Sequence, residues 1–380
     1  MNPLSLYLHI PFCAKKCRYC DFYSIPYDTV NVENYLAALS KEINLVKKTY
    51  RLNGSTPVQT VFIGGGTPTV LAVEQLRMLC TLIRTSFTLA PGYEWTVECN
   101  PESLIPEKAS VLLDNGVTRL SFGFQSLDDR ELSFLGRIHN AERCRLVLEE
   151  PLLARFSSIG VDLMFGLPGQ TIGSVERSLQ PLFDSLSIKH ISAYELTVAE
   201  KTPFGRRRSM LPLPSDEAMS TMTGRLWDLL EEHGFLQYEV SNFAKPGHEC
   251  RHNRAYWCHE PYLGLGCAAH SFLPPERTAN VRDVSRYCAM VNEERLPLEF
   301  TEVLDSGKLG MEMIFLGLRT VLGINEKIFY EKCRVSLLDF VNKERFDILV
   351  KRGLLTYDKP FWKPSRSGLL MADAIAREIS

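Results

Sequence analysis

The chain has 380 residues, of which 45% are hydrophobic and 23% charged, with a formal net charge of -2 at neutral pH. That balance belongs to a globular protein of one large domain plus one smaller, and gives no electrostatic argument for a nucleic-acid or anionic-membrane partner. No apolar run approaches the ~20 residues of a membrane span, no signal-peptide apolar region is present, and the 11 cysteines are odd in number, so a cytoplasmic chain of mostly reduced thiols is expected.

In chain order, the apolar run Leu4 to Ile10 leads straight into Cys13-Ala-Lys-Lys-Cys17-Arg-Tyr-Cys20, three thiols at CxxxCxxC spacing. Thiolates hold iron–sulfur clusters, and such spacing lets one loop wrap a compact cluster while leaving an iron open to a small molecule. A structural zinc site would need a fourth ligand, for which His9 is the nearby candidate. Three reduced cysteines in a turn is the remaining alternative. Cys80, Cys99 and Cys144 are read as buried thiols acting as small hydrophobes.

Further β-rich runs follow at Val58 to Ile63, Glu94 to Cys99, Thr118 to Phe122, Gly160 to Phe165 and Lys189 to Tyr194. Between them lie helix-like stretches, Val32 to Tyr50, Val73 to Phe87, Pro106 to Asn115, Ala141 to Phe156 and Gly173 to Leu186. Apolar strands separated by helices specify a parallel sheet with covering helices. The expected fold class is therefore α/β, a partial (βα)6 barrel over residues 1–245 followed by a smaller C-terminal α+β domain over 246–380. Chemistry in such barrels sits at the C-terminal strand ends. There the sequence places Gly64-Gly65-Gly66-Thr67-Pro68, Glu98 with Asn100, Gly123-Phe124-Gln125-Ser126, and Asp162 ahead of Gly166-Leu167-Pro168-Gly169-Gln170. One Gly-rich turn is usually structural; recurrence at successive strand ends marks a site. Arg206-Arg207-Arg208 is read as a solvated loop.

The segment from His248 to His270 holds four of the eight histidines. Glu260 to Gly266 is turn-rich and reads as a link, giving a junction over 246–275. Beyond it, Gly310 to Leu322 and Leu337 to Val350 read as helices, the latter ended by Arg352-Gly353, and Leu354 to Tyr357 faces Phe361-Trp362 across a turn. Helix, strand, turn and strand over about 305–380 look like a winged helix. Asp339, Glu344 and Asp347 interrupt any basic recognition face, so a lid or partner-docking surface is expected in place of DNA binding.

His9-Ile10-Pro11-Phe12-Cys13 through Cys20-Asp21-Phe22, Gly64 to Pro68, Gly123 to Ser126, Leu135-Gly136-Arg137-Ile138-His139 and Asp162 to Pro168, in this order, resemble the radical S-adenosylmethionine (SAM) superfamily. Within it the chain is similar to the coproporphyrinogen-dehydrogenase-like branch, most closely to heme chaperones of the HemW type. The resemblance implies a [4Fe-4S] cluster on Cys13, Cys17 and Cys20, with SAM on the fourth iron and an electron donor wherever SAM is cleaved. It implies SAM contacts for Tyr7, Gly65 and Glu98, and places Tyr19, Gly66, Thr67, Gln125, Arg137 and Asp162 in a pocket for one or two SAM molecules. Arg137 suits a carboxylate and the acids suit ammonium or hydroxyl groups; a surface ion pair for Arg137 and a turn acceptor for Asp162 are the plainer readings.

His252-Asn253-Arg254-Ala255-Tyr256-Trp257 matches the HNxxYW pattern of HemW-like proteins. His252 is read as a heme contact, imidazole being a common ligand of heme iron, or as a hydrogen-bonded corner of the domain junction. Oxygen-independent coproporphyrinogen dehydrogenases carry CxxxCxxCxC and a longer N-terminal segment, whereas Asp21-Phe22 follows Cys20 here and twelve residues precede Cys13. The resemblance thus favours a heme chaperone that passes heme to an acceptor hemoprotein. Coproporphyrinogen III dehydrogenase, a radical SAM methyltransferase and a non-catalytic binding module are the alternatives, and no residue is singled out as catalytic.

Overall fold

A computed structural model describes residues 4–52 and 56–379. Leu4–Ile10 is buried on both faces except at Tyr7, as a strand covered from two sides must be. It is the first of six parallel strands that lie side by side in chain order: Leu4–Ile10, Val58–Gly65, Leu89–Cys99, Arg119–Gln125, Ser158–Phe165 and Ile188–Glu195. The register pairs Tyr7 with Phe62 and Glu98 with Ser121, which brings the polar strand ends to one rim. The sheet stays open, with Asn242–Ala244 and Leu236–Glu239 added antiparallel beyond the sixth strand.

On the other edge the structure departs from the expected link. Tyr262–Leu265 is a strand, parallel to Leu4–Ile10, and His270–Leu273, Glu276–Asn280 and Leu298–Val303 extend the sheet antiparallel from it to twelve strands. Gly264, which reads as a turn residue, is required there because a Cβ would collide with the His270 carbonyl.

The helices follow the amphipathic pattern. Thr29–Thr49 is capped by Asp28, ends with Lys47 and Lys48, and buries Val32, Leu36, Leu39, Ile43 and Val46 against the sheet. Its Glu42 is 1% exposed and accepts hydrogen bonds from the Gly266 N–H (2.7 Å), the Tyr287 hydroxyl (2.7 Å) and Asn280 Nδ2 (2.6 Å), tying the barrel to its antiparallel extension. Burial pushes this carboxyl up to about 7 against the pull of those donors.

Two predicted helices are broken. Ala141–Leu148 stops before Pro151, whose ring disfavours a helical residue before it, and Pro151 instead opens the 3₁₀ turn Pro151–Arg155. Leu337–Phe340 and Lys343–Lys351 are separate because Asn342 leaves the helical region and caps the second at Arg345 N. With Ser306–Gly317, Glu326–Cys333, Ala372–Ile379 and the three-stranded sheet of Ile324–Asn325, Phe361–Pro364 and Leu355–Asp358, they enclose a second core around Ile314, Phe329, Phe346 and Ile375. No described helix is long and apolar enough to cross a membrane.

Candidate functional site

The three thiols lie in a loop pinned at both ends. Phe12–Cys13 pairs with Ile25–Pro26, and Arg18 N donates to the Leu135 carbonyl at 3.0 Å. Tyr19 packs beside Met164, Leu196 and Phe204; burial raises its phenol above the usual range while the Arg137 guanidinium beside it pulls the other way. Cys13 Sγ accepts from the Thr67 hydroxyl at 3.7 Å, and Cys17 Sγ from Arg137 Nη1 at 3.3 Å. Burial pushes the Cys20 thiol up to about 11. His9 does not point its nitrogens at the thiols: Nδ1 shares a hydrogen bond with the Tyr7 hydroxyl (3.0 Å) and Nε2 meets the Tyr23 carbonyl (2.9 Å).

The glycine run forms a cradle that side chains would fill. Gly66 N donates to the Ile10 carbonyl at 2.8 Å, and a Cβ on Gly66 would lie 2.6 Å from the Phe12 carbonyl. Gly65 has φ 109° and faces the His9 ring, with a would-be Cβ at 2.5 Å from Cε1; both positions exclude any side chain. Its N–H donates to Glu98 Oε2 at 3.0 Å. Asn100, which sequence reasoning placed after the strand without a role, joins the two halves of the rim: its Nδ2 donates to the Thr67 hydroxyl (3.1 Å) and its Oδ1 accepts from Arg137 Nη2 (2.6 Å). Arg137 Nη2 also reaches the Gly123 carbonyl at 2.7 Å, while Nε is buried with no partner among the described residues. Gln125 ends its strand at φ 70°, a region that non-glycine residues rarely occupy.

Inside this rim lies a cavity of about 320 Å³. Tyr7, Gly65, Glu98, Asp162 and His252 line it. Burial, then the charge of Asp162, pushes the Glu98 carboxyl up to about 8, opposed by the Gly65 N–H. Asp162 is raised to about 6 by burial, opposed by the Ser192 and Ser121 hydroxyls. A pocket with two buried acids so held favours a cationic guest, which restores the ionised forms. His252 is 1% exposed and both its ring nitrogens are engaged: Nδ1 with the Thr60 hydroxyl at 2.7 Å, Nε2 with the Tyr256 hydroxyl at 2.9 Å. It stacks on Phe62 at 5.1 Å, and burial lowers it to about 3, so it is neutral.

A second cavity, about 1020 Å³, adjoins the first. Tyr7, Phe22 and Tyr256 line both and form the wall between them. Its other sides come from the antiparallel extension, Ser306–Gly317 and Ala372–Ile379. No local motif could have announced it, because its walls are far apart in sequence.

The sequence pattern of the Radical SAM superfamily matches residues 7–182. The chain is 40% identical to heme chaperone HemW of Bacillus subtilis, covering 92% of both chains. It is 33% identical to heme chaperone HemW of Mycobacterium tuberculosis, over 100% of this chain and 95% of that one. The solved structure of coproporphyrinogen III oxidase (HemN) from Escherichia coli superposes with a TM-score of 0.85, covering 99% of this chain and 89% of the other at 24% identity, and so shares the fold. Identity at this level over whole chains, on a barrel whose three-thiol loop meets a glycine cradle, is membership: the chain belongs to the HemW family of the radical SAM superfamily.

Proposed function

We propose that this protein is a cytoplasmic heme chaperone that binds a [4Fe-4S] cluster, SAM and heme and passes the heme to an acceptor hemoprotein. The observation that carries the reading is the pair of adjoining cavities, one small and acid-lined at the strand ends, the other large and rich in aromatic side chains, sharing Tyr7, Phe22 and Tyr256. Relatives bearing the heme chaperone name over the whole length support it.

The residues present fit the cluster and SAM. The donor set in the loop is thiolate, from Cys13, Cys17 and Cys20, which is iron–sulfur chemistry. Arg137, with Nε buried and unpartnered, fits a carboxylate-bearing guest at the rim, while Gly65 and Gly66 let the strand end pack against His9 and Phe12 and commit their N–H groups to Glu98 and the Ile10 carbonyl. A bound cluster supplies the electron with which radical SAM proteins cleave SAM. Glu98, Asp162 and Tyr7 line the SAM pocket, Thr67 and Arg137 orient the thiols, and Tyr19 and Gln125 stand outside its lining, Tyr19 in the thiol loop and Gln125 at the end of its strand. His252 acts toward heme through the wall, by fixing Tyr256. In this reading residues 1–245 carry the cofactor barrel and 246–380 the smaller unit, whose strands up to Val303 continue the barrel's sheet, with the junction 246–275 supplying walls to both cavities.

The test is anaerobic reconstitution of the cluster followed by heme titration, with and without SAM, and mixing of the loaded protein with an apo-hemoprotein. Saturation near one heme per chain and transfer to the acceptor are expected. Absence of saturable binding overturns the reading.

A further inference from the structure

Six of the eight histidines have a ring nitrogen hydrogen-bonded to a described residue. His248 and His270 have none among the described residues, and His270 lines the larger cavity. It is exposed, at the start of the strand His270–Leu273.

The strand makes that position rigid. His270 and Phe272, two residues apart, share one face, while Ser271 turns the other way, and its hydroxyl accepts from Gly264 N at 2.9 Å. Arg277 stands opposite Phe272 in register, with its guanidinium 5.3 Å from the ring and Nη2 bonded to Glu312 at 2.7 Å. Across the cavity, Met311 and Phe315 present apolar surface from the helix Ser306–Gly317. Phe22, 64% exposed two residues after Cys20, forms the edge toward the cluster loop. At about 1020 Å³ the space is at the upper end of the roughly 300–1,000 Å³ typical of ligand pockets.

Two lining guanidiniums have no carboxylate partner among the described residues. Arg282 Nη2 reaches only the Asp21 carbonyl, at 3.5 Å, and Arg377 Nε only the Asp373 carbonyl, at 3.1 Å. Arg277, by contrast, is committed to Glu312. A flat apolar guest with one site for an imidazole and two carboxylates matches this inventory.

We propose that the larger cavity seats the heme cargo, with His270 as the protein ligand to its iron and Arg282 and Arg377 anchoring its two propionates. The assignment rests on the heme chaperone reading and moves the iron away from His252, whose nitrogens are both occupied.

The experiment is a ferric heme titration of the full chain with cluster content matched by iron and sulfide analysis, comparing wild type, His270→Ala, the control His248→Ala and the double variant Arg282→Glu/Arg377→Glu. The readouts are affinity and the axial-ligand signature in electron paramagnetic resonance. His270→Ala is expected to weaken binding at least about tenfold, equivalent to about 1.4 kcal/mol, and to lose the imidazole signature, which added imidazole restores. The double arginine variant weakens binding of heme and leaves that of its dimethyl ester unchanged. His270→Ala with the wild-type signature and affinity overturns the assignment while the chaperone reading stands. Wild type without saturable heme binding overturns the reading itself.

Discussion

Glu42 offers the sharpest quantitative test of how the barrel and its extension are joined. In the folded chain its carboxyl titrates near 7 instead of 4.5, because burial penalises the anion more than its three donors reward it. A raised acid contributes stability that is fully present below about 4.5 and is lost as pH rises through about 7. At about 1.4 kcal/mol per pH unit over that interval, the loss is roughly 3 kcal/mol. Glu42→Gln removes the titration but turns an amide toward Asn280 Nδ2, already a donor at 2.6 Å, at a cost of about 1–3 kcal/mol. Glu42→Ala strands three buried donors and costs several kcal/mol more, about 1–3 kcal/mol for each. Melting curves of the three proteins at about pH 5 and pH 8, at matched cluster content, test this. Wild type should lose stability toward pH 8 and Glu42→Gln should show a much flatter profile. Identical pH slopes for the two would refute the account of Glu42 as the titrating joint.

The same reasoning extends to the site. Glu98, held near 8, is mostly protonated at neutral pH, so a cationic guest such as SAM should release up to about one proton on binding. Calorimetry in two buffers of different ionisation enthalpy reads this release, and Glu98→Gln should abolish it. Gly65→Ala places a side chain at φ 109° against the His9 ring, and should cost about 1–3 kcal/mol in a denaturation assay and eliminate SAM binding. Arg137→Lys keeps the charge but cannot reach Cys17 Sγ, Asn100 Oδ1 and Gly123 O together; iron and sulfide per chain after reconstitution should fall. His252→Ala leaves the Thr60 and Tyr256 hydroxyls unpaired and removes the Phe62 stack, so the melting point should drop by an amount corresponding to about 2–4 kcal/mol.

Near-continuous apolar runs located five of the six parallel strands to within three residues, because strands buried on both faces need no interruption; the third starts at Leu89, five residues before the run from Glu94, because Pro91 and Gly92 mask its beginning. The thiol loop was legible because its three cysteines stand close together in the chain, from Cys13 to Cys20. Pro151 and Asn342 broke helices that a periodic pattern alone joined, although each carries its own stop signal. Tyr262–Leu265 was hidden by Gly264 and Gly266, whose freedom reads as a turn until the neighbouring backbone is known. The partners of His252 were beyond any local reading, since Thr60 lies 192 residues away in the chain. The larger cavity was hidden for the same reason: Tyr7, His270 and Arg377 meet only after the sheet has closed on the C-terminal helices.

The two cavities and the thiol loop converge on His9. Its Nε2 meets the Tyr23 carbonyl just beyond the loop, its Nδ1 meets the Tyr7 hydroxyl in the dividing wall, and its ring occupies the space that Gly65 leaves open at the cradle. Burial lowers His9 to about 4, so the imidazole is neutral from about pH 5 upward and its hydrogen-bond pattern does not change over the physiological range. Glu98, a short step across the cradle, changes charge near 8. The pH dependence of the small cavity therefore originates in its two acids, Glu98 near 8 and Asp162 near 6, and not in His9. The wall that separates the cavities stays uncharged, because burial holds the Tyr7 and Tyr256 phenols well above their ordinary range, and Tyr7, Phe22 and Tyr256 present it to both sides.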